Sequence, residues 1–481
     1  MIDPTAASIS LNIIAPEIAL LIAAFIILVT AYVKNISRFA PYMAALGMVF
    51  SLIFSVNQLH HPNSGYFGMI TSDDFSAVFK IIFIVSSFVI LLMARRYLTA
   101  KMINRPEFYA LLSISTMGMM VMATTTDLVV LFLGLEIMSV PLYIMAGMDR
   151  RSPESNEAGI KYIILGAFAS GFLLMGIAFV FGASGTTDLR RIAADFLFIA
   201  SNYRLYLYSG AALILIGFAF KVGAVPFHAW IPDVYQGAPT PVTAFFSVGP
   251  KAAGFAALLR IFSFGFNGMP ELSVVFWVLA VLTMTVGNVL ALRQDNVKRL
   301  LAYSSIAHAG YILVALAVGG QDAISAAIFY VIAYGFFSLG AFALITQLET
   351  RTGCKSDIKE LAGLSQAHPY LSSFLAVFML ALAGFPPTIG FLGKFYLFSA
   401  AVNAGFIWLA VIGVLNSFIS VYYYLRVVKV SFLDSYEGFF QPVTITPALI
   451  VVLVVTLSGT LALGIFPQHL LEFTKAAIFT F

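Results

Sequence analysis

Lys221, Lys251 and Lys394 each lie inside a long apolar run, and so do Glu136 and His308. An ionisable group held at the middle of a bilayer costs several kcal/mol unless it is paired or wetted, and such groups mark ion or proton paths. All five side chains can take up and release a proton. The chemistry on offer is proton storage and hand-over.

Glu136 lies in DLVVLFLGLEIMSVPLYIMAG, nine residues past Asp127 and so about 14 Å along a helix. Gly134 and Pro141 flank it and can make room or a kink. A structural carboxylate bonded to a neighbouring helix is the plainer role for it. Lys221 lies in GFAFKVGAVPFHAW, and Glu136 is the acid expected to partner it. Burial disfavours an ammonium and a nearby carboxylate favours it, so small rearrangements would change its hold on a proton. Lys251, in PVTAFFSVGPKAAGFAALLR, follows Gly249 and Pro250 and has no acid in its own helix, which suits a relay step. His308, in SSIAHAGYILVA, can pass protons at either ring nitrogen. A lone buried histidine is as often a satisfied core residue. Ser304, Ser305 and Tyr311 could hold water beside it. Lys394, in GFPPTIGFLGKFYLF, comes seven residues after Pro387. Glu17, Lys80 and Lys161 fall near the ends of apolar runs, where anchoring at the membrane interface is the expectation, and His228 and Trp230 read the same way.

The elements that carry these groups must be membrane helices. The chain has 481 residues, of which 61% are hydrophobic and 10% charged. A soluble domain carries about a quarter charged residues. Fourteen apolar spans can be read: 12–33, 39–58, 75–93, 108–124, 127–147, 157–182, 208–230, 241–262, 272–292, 299–319, 322–348, 370–399, 404–428 and 446–466. Runs of this length cross about 30 Å of hydrocarbon as helices, and barrel strands would be shorter and would alternate. The fold class is therefore all-α integral membrane. The first span is too long, and too poor in preceding positive charge, for a cleaved signal peptide. The longest connection, about 183–207, leaves no room for a soluble domain. One cysteine, Cys354, excludes a disulfide within the chain and any Cys-ligated cluster. The net charge of +4 is spread over loops, which argues against nucleic acid as a partner. No pattern points to a metal, nucleotide, flavin or haem, so no cofactor is expected.

Lys and Arg collect after spans 1, 3, 5, 9, 11 and 13 (Arg95, Arg96, Arg150, Arg293, Arg351 and Lys355 among them) and are absent after spans 2, 4, 8, 10 and 12. Cytoplasmic loops carry that excess, so both termini are expected on the outer side. Arg190, Arg191 and Arg204, after span 6, break the pattern.

Two segments share a punctuation: Gly223-Ala224-Val225-Pro226-Phe227 and Gly384-Phe385-Pro386-Pro387-Thr388. Each falls within an apolar span, and proline with glycine interrupts a helix. Spans 7 and 12 are therefore expected to be broken. They lie five spans apart, which suggests two five-helix units, spans 4–8 and 9–13, the second inverted relative to the first. Inverted repeats with broken helices at mid-membrane are a transporter signature. The expected divisions are 1–105 for spans 1–3, 106–265 and 266–430 for the two units, and 431–481 for span 14.

The segment FKVGAVPFHAWIPDVYQGAPTPVTAFFSVGPKAAGFAALLR resembles the helix 7–8 signature of the N-type subunits of respiratory NADH–quinone oxidoreductase, complex I. LFLGLEIMSVPLYIMAG, LLAYSSIAHAGY and GFPPTIGFLGKFYLF are similar to the helix 5, 10 and 12 signatures. The wider superfamily includes the other antiporter-like subunits of complex I and the Mrp cation/proton antiporters. The resemblance implies fourteen helices in two inverted units, with Glu136, Lys221, Lys251, His308 and Lys394 as the proton relay. It implies a subunit without a redox centre of its own, in a bacterial cytoplasmic membrane. Other membrane subunits and a flavin and iron–sulfur arm would be its partners, with NADH and quinone handled elsewhere. No long lateral helix follows residue 466, unlike the L-type subunit. A stand-alone cation/proton antiporter and a non-pumping structural subunit are the rival readings.

Overall fold

In hydrocarbon a backbone must satisfy its own polar groups, and an unbroken helix does so. The computed structural model describes residues 11–350, 356–435 and 445–477, and these form a helical bundle. Its main helices are α1 Ala15–Thr30, α2 Ala40–Asn57, α3 Asp74–Ala100, α4 Pro106–Thr124, α5 Leu128–Ala146, α6 Pro153–Ser184, α7a Phe196–Val222, the short α7b Trp230–Gly237, α8 Thr240–Arg260, α9 Glu271–Ala291, α10 Val297–Val318, α11 Gly320–Leu348, α12a Pro369–Ala383, α12b Ile389–Asn403, α13 Ile407–Leu433 and α14 Pro447–Ile465. Among the described residues, twelve helices are long and apolar enough to cross a membrane. The expected fourteen spans require that α1 also crosses and that α12a and α12b together make one crossing. Cys354, Arg351 and Lys355 lie outside the described residues.

Both expected breaks are present. α7a stops at Val222 because Gly223 turns left-handed at φ +78°, and α12a stops at Ala383 because Gly384 does so at φ +88°. Glycine is the residue that adopts this cap without strain. At Gly223 space is also short, since a Cβ there would come within 2.0 Å of Ile231 Cδ1. Pro226 and the Pro386–Pro387 pair then deny the backbone donors that would continue the helix, and both breaks carry a cis X–Pro bond. The chain resumes as α7b at Trp230 and as α12b at Ile389.

α8 is the axis of the bundle. Every residue from Thr240 to Arg260 is buried, and α3, α4, α7a and α11 pack around it. The outer helices α2, α6, α13 and α14 turn Phe50, Phe168, Phe418 and Val451 outward, as surfaces facing lipid or other apolar helices do.

The two ends of α8 are fixed by buried charge. At its C-terminus Arg260 pairs with Asp73 at 2.9 Å, both side chains within 2% of full burial, and donates to the Ala123 carbonyl that ends α4. A short hairpin lies at this end, Asn63–Gly65 paired with Ile70–Ser72, which the all-helical reading did not foresee. Bridges Ile70↔Thr125 and Asp127↔Asp188 place the start of α5 here as well. At the other end of α8, Thr240 donates to Glu349, and Lys298 lies 3.8 Å from Glu349 while donating to Ala238 O. The bridge Asn296↔Asp357 places the start of α10 at that end. Asp127 caps α5 by accepting from Val129 and Val130, and Asn296 caps α10 by accepting from Arg299. The caps of α5 and α10 thus occupy opposite ends of a 21-residue helix, about 30 Å apart.

Two sequence expectations change. The connection 183–207 is helical rather than irregular: it holds Leu189–Ala194 and the first turns from Phe196. A kink at Tyr203 (φ −129°, ψ 32°) separates these from the long part of α7a, and just past it Glu271 receives Arg204 and Tyr208 at 3.1 Å each. Two of the arginines that broke the charge pattern are therefore engaged within the rim. Arg204 is held by Glu271, and Arg190 by Asp188 and the Gly68 carbonyl. Glu17 and Lys80 do not anchor at the interface. They form a buried pair at 2.9 Å that fastens α1 to α3, with Gln58 as a further acceptor for the lysine.

Removing one partner of a buried pair costs about 3–5 kcal/mol, because it strands the other charge. Asp73→Asn is expected to lower the thermal unfolding midpoint of the detergent-solubilised protein, and adding Arg260→Met is expected to recover part of the loss. An unchanged midpoint in the single variant would contradict the role given to this pair.

Candidate functional site

Lys221 stands in the last turn of α7a, against the break. Its ammonium donates to Ser139 Oγ on α5 at 2.7 Å and to the Tyr162 hydroxyl on α6 at 3.3 Å. The rings of Tyr162 and Tyr143 lie 5.3 and 5.8 Å from the charge, a distance at which an aromatic face attracts a cation. Tyr162 is itself held flat against Trp230 of α7b, with centroids 4.5 Å apart and planes 6° from parallel.

Glu136 lies one turn before Ser139 on α5, so the two share a helix face. The expected Glu136–Lys221 ion pair is not formed. Glu136 is half-buried and accepts from Ser170 on α6, whereas Lys221 turns inward to Ser139. The carboxylate is bonded from α6, and the ammonium is bonded to a serine one turn further along α5.

The stem of Lys221 runs beside Gly254 of α8, where an added Cβ would meet Lys221 Cγ at 3.9 Å. Three residues earlier on α8 is Lys251. Its ammonium donates to the carbonyl and the hydroxyl of Ser305 on α10, at 2.7 and 2.8 Å. One turn further along α10 is His308, whose Nδ1 lies 2.7 Å from the Tyr330 hydroxyl on α11 and whose Nε2 lies 3.1 Å from the Tyr424 hydroxyl on α13. Tyr424 in turn contacts Ser304. With a hydroxyl at each ring nitrogen, the imidazole can receive a proton on one side and deliver it on the other.

Lys394, on α12b, donates to the carbonyls of Leu382 and Ala383 at 3.2 and 2.8 Å and to Ser417 Oγ on α13 at 2.8 Å. Those carbonyls end α12a and have no partner within their own helix. The negative end of the helix dipole also favours a cation there. The Tyr311 ring bridges toward His308: its centroid is 5.0 Å from the Lys394 ammonium and 5.7 Å from the imidazole centroid. Lys394 also lines a cleft of about 620 Å³ between α12b and α13.

All five residues singled out in the sequence thus sit on adjoining helices. The three lysines and His308 are each no more than 5% exposed. The neutral partners Ser139, Tyr162, Ser170, Tyr330, Tyr424 and Ser417 were missed. A hydroxyl in an apolar helix carries no mark in the sequence, because it can equally bond its own backbone. Asn288 and Asn416 were also missed, although an amide inside an apolar run is a visible signal. Both are buried, and Asn288 joins Tyr311, Tyr423 and Asn416. Among the described residues, no group of three or more His, Cys, Asp or Glu is placed to hold a metal.

Residues 125–420, which span the breaks and the lysine row, match the family described as NADH:quinone oxidoreductase/Mrp antiporter, TM. The chain belongs to this family. Within the family it is 45% identical over 474 residues to NADH-quinone oxidoreductase subunit N of Trichlorobacter lovleyi, covering 98% of this chain and 97% of that one. It is 41% identical to the subunit N of Moorella thermoacetica, with 92% and 93% covered. Among solved structures it is similar to a chain of respiratory complex I from Thermus thermophilus with bound aureothin, at 32% identity and TM-score 0.81, covering 95% of this chain and 98% of that one. A chain of the Mrp complex from Dietzia, at 23% identity and TM-score 0.85 with 98% and 96% covered, shares the fold.

The cleft gives Lys394 an approach from outside the bundle. In the detergent-solubilised chain an apolar amine-reactive reagent is expected to modify Lys394 faster than Lys221 or Lys251, as read by peptide mass spectrometry. Equal rates at the three lysines would contradict this geometry.

Proposed function

We propose that this chain is a proton-translocating membrane subunit of an NADH–quinone oxidoreductase. The names of its relatives and its likeness to a complex I chain support this reading. One observation carries the proton-moving part. Among the described residues, the other buried cations lie against carboxylates, Lys80 with Glu17, Arg260 with Asp73 and Lys298 with Glu349. Lys221, Lys251 and Lys394 are instead held by hydroxyls and main-chain carbonyls. A lysine bonded to neutral oxygens can give up its proton without stranding an anion.

In this account Glu136 modulates Lys221, the loading site. Lys251 and His308 carry the proton across, and Lys394 releases it or couples to a neighbouring subunit. The chain divides as 1–105, 106–265, 266–430 and 431–481, the middle two being inverted repeats. The matched caps of α5 and α10 at opposite ends of α8 support that division. Electron transfer from NADH to quinone takes place in other subunits, which carry the flavin and iron–sulfur centres, and this chain holds no cofactor. It sits in a bacterial cytoplasmic membrane with both termini on the outer side. Moving one charge against 100 mV requires about 2.3 kcal/mol, and a change of about two pKa units in a lysine is worth about 2.7 kcal/mol. Rearrangements of modest size around these lysines are therefore sufficient.

Lys221→Ala in the assembled, reconstituted complex is expected to cut proton pumping per NADH oxidised severalfold. Wild-type pumping from a complex that contains the variant chain would refute the relay. Cation-driven proton flux in vesicles that hold this chain alone would instead point to a stand-alone antiporter.

A further inference from the structure

We propose that Asp233 is a positioning residue that ties the broken helix beside Lys221 to the helix that carries His308; this rests on the proton-translocation reading above. Asp233 lies on α7b, a helix of 8 residues that follows the non-helical stretch 223–229. So short a piece gains little from its own backbone bonds, and its neighbours must hold it. The Asp233 carboxylate divides its two oxygens between two helices. Oδ2 accepts from Lys161 of α6 at 2.6 Å, and Oδ1 accepts from Arg299 of α10 at 2.7 Å. Arg299 also reaches Gln236, the next turn of α7b, at 3.2 Å. Lys161 is steadied from the other side by Glu157 at 2.6 Å.

Each arm of this tie leads to the relay. On α6, Tyr162 follows Lys161 directly, and its hydroxyl accepts from Lys221. On α7b, Trp230 stacks on that same tyrosine and donates its indole N–H to the Phe220 carbonyl, the residue before Lys221. On α10, Ser305 and His308 lie two turns or so beyond Arg299, and Ser305 is the acceptor for Lys251. One carboxylate therefore sets the position of α7b against both the loading lysine and the relay helix. An exposed pair alone contributes little. These groups are about one-third exposed, but here a single carboxylate joins three elements that must keep register while protons pass.

The test uses the assembled complex in proteoliposomes, with Asp233→Asn, which keeps the shape and removes the charge, and Asp233→Glu, which restores it. Proton pumping per NADH and amide hydrogen exchange over residues 225–237 are measured together. The expected result is a drop in pumping of about twofold or more with Asp233→Asn, faster exchange in that segment, and recovery of both with Asp233→Glu. Wild-type pumping with Asp233→Asn, loss of pumping without faster exchange, or Asp233→Glu behaving like Asp233→Asn would each overturn the proposal. Should Asp233→Asn fail to assemble, Arg299→Gln removes only the arm to α10. It is expected to lower pumping in the same direction, and wild-type pumping from it would also overturn the proposal. If Lys221→Ala pumps normally, the translocation reading fails, while the exchange response to Asp233→Asn still reports whether the carboxylate holds α7b.

Discussion

A charge inside hydrocarbon must be met from within the protein, and this chain meets its charges in two ways. Glu17–Lys80 and Asp73–Arg260 are closed pairs that join helices. Lys221, Lys251 and Lys394 rest on neutral oxygens supplied by neighbouring helices. The first arrangement fixes a structure, because neither partner can lose its charge without stranding the other. In the second, a lysine that gives up its proton leaves no bonded carboxylate behind. The division of labour between these two sets organises the bundle.

Geometry follows from the same constraint. α8 is buried along its whole length and is pinned at both ends by charge, at Arg260 and at Thr240 beside Glu349. Lys251 therefore sits on a helix that is buried along its whole length and held at both ends. The other two lysines sit at the breaks, where the ladder of backbone bonds is interrupted. There Lys394 binds the free carbonyls of α12a. At the first break an indole takes part, since the Phe220 carbonyl receives Trp230 as well as the Gly223 N–H, and Lys221 faces Ser139 and Tyr162. The two breaks share a backbone plan, a left-handed glycine followed by a cis X–Pro bond, and differ in the side chains that meet it.

Much of this was legible in the sequence, for a physical reason. An ionisable residue in a long apolar run is costly enough to stand out, so Glu136, Lys221, Lys251, His308 and Lys394 were visible without a structure. So were the breaks, because Gly223 with Pro226 and Gly384 with Pro386–Pro387 deny a helix its donors. Who meets each charge was not legible. Glu136 looked like the partner of Lys221, yet it faces Ser170; direction around a helix depends on packing that hydropathy does not record. Lys80 was misplaced for the same reason. It lies near the start of α3, and the face it presents toward Glu17 is set by α1. Serine and tyrosine hydroxyls supply most of the contacts to these five residues, and in an apolar helix they look like any other small or aromatic residue.

The central claim is that the buried lysines and His308 form one proton-conducting row rather than separate packing solutions. The most direct measurement is a high-resolution cryo-EM map of the assembled complex, examined for ordered water between Lys221, Lys251, His308 and Lys394. The account predicts water density that, with Ser139, Ser305, Tyr330 and Tyr424, links these side chains within hydrogen-bonding distance. Dry side-chain packing that isolates each of them would contradict it.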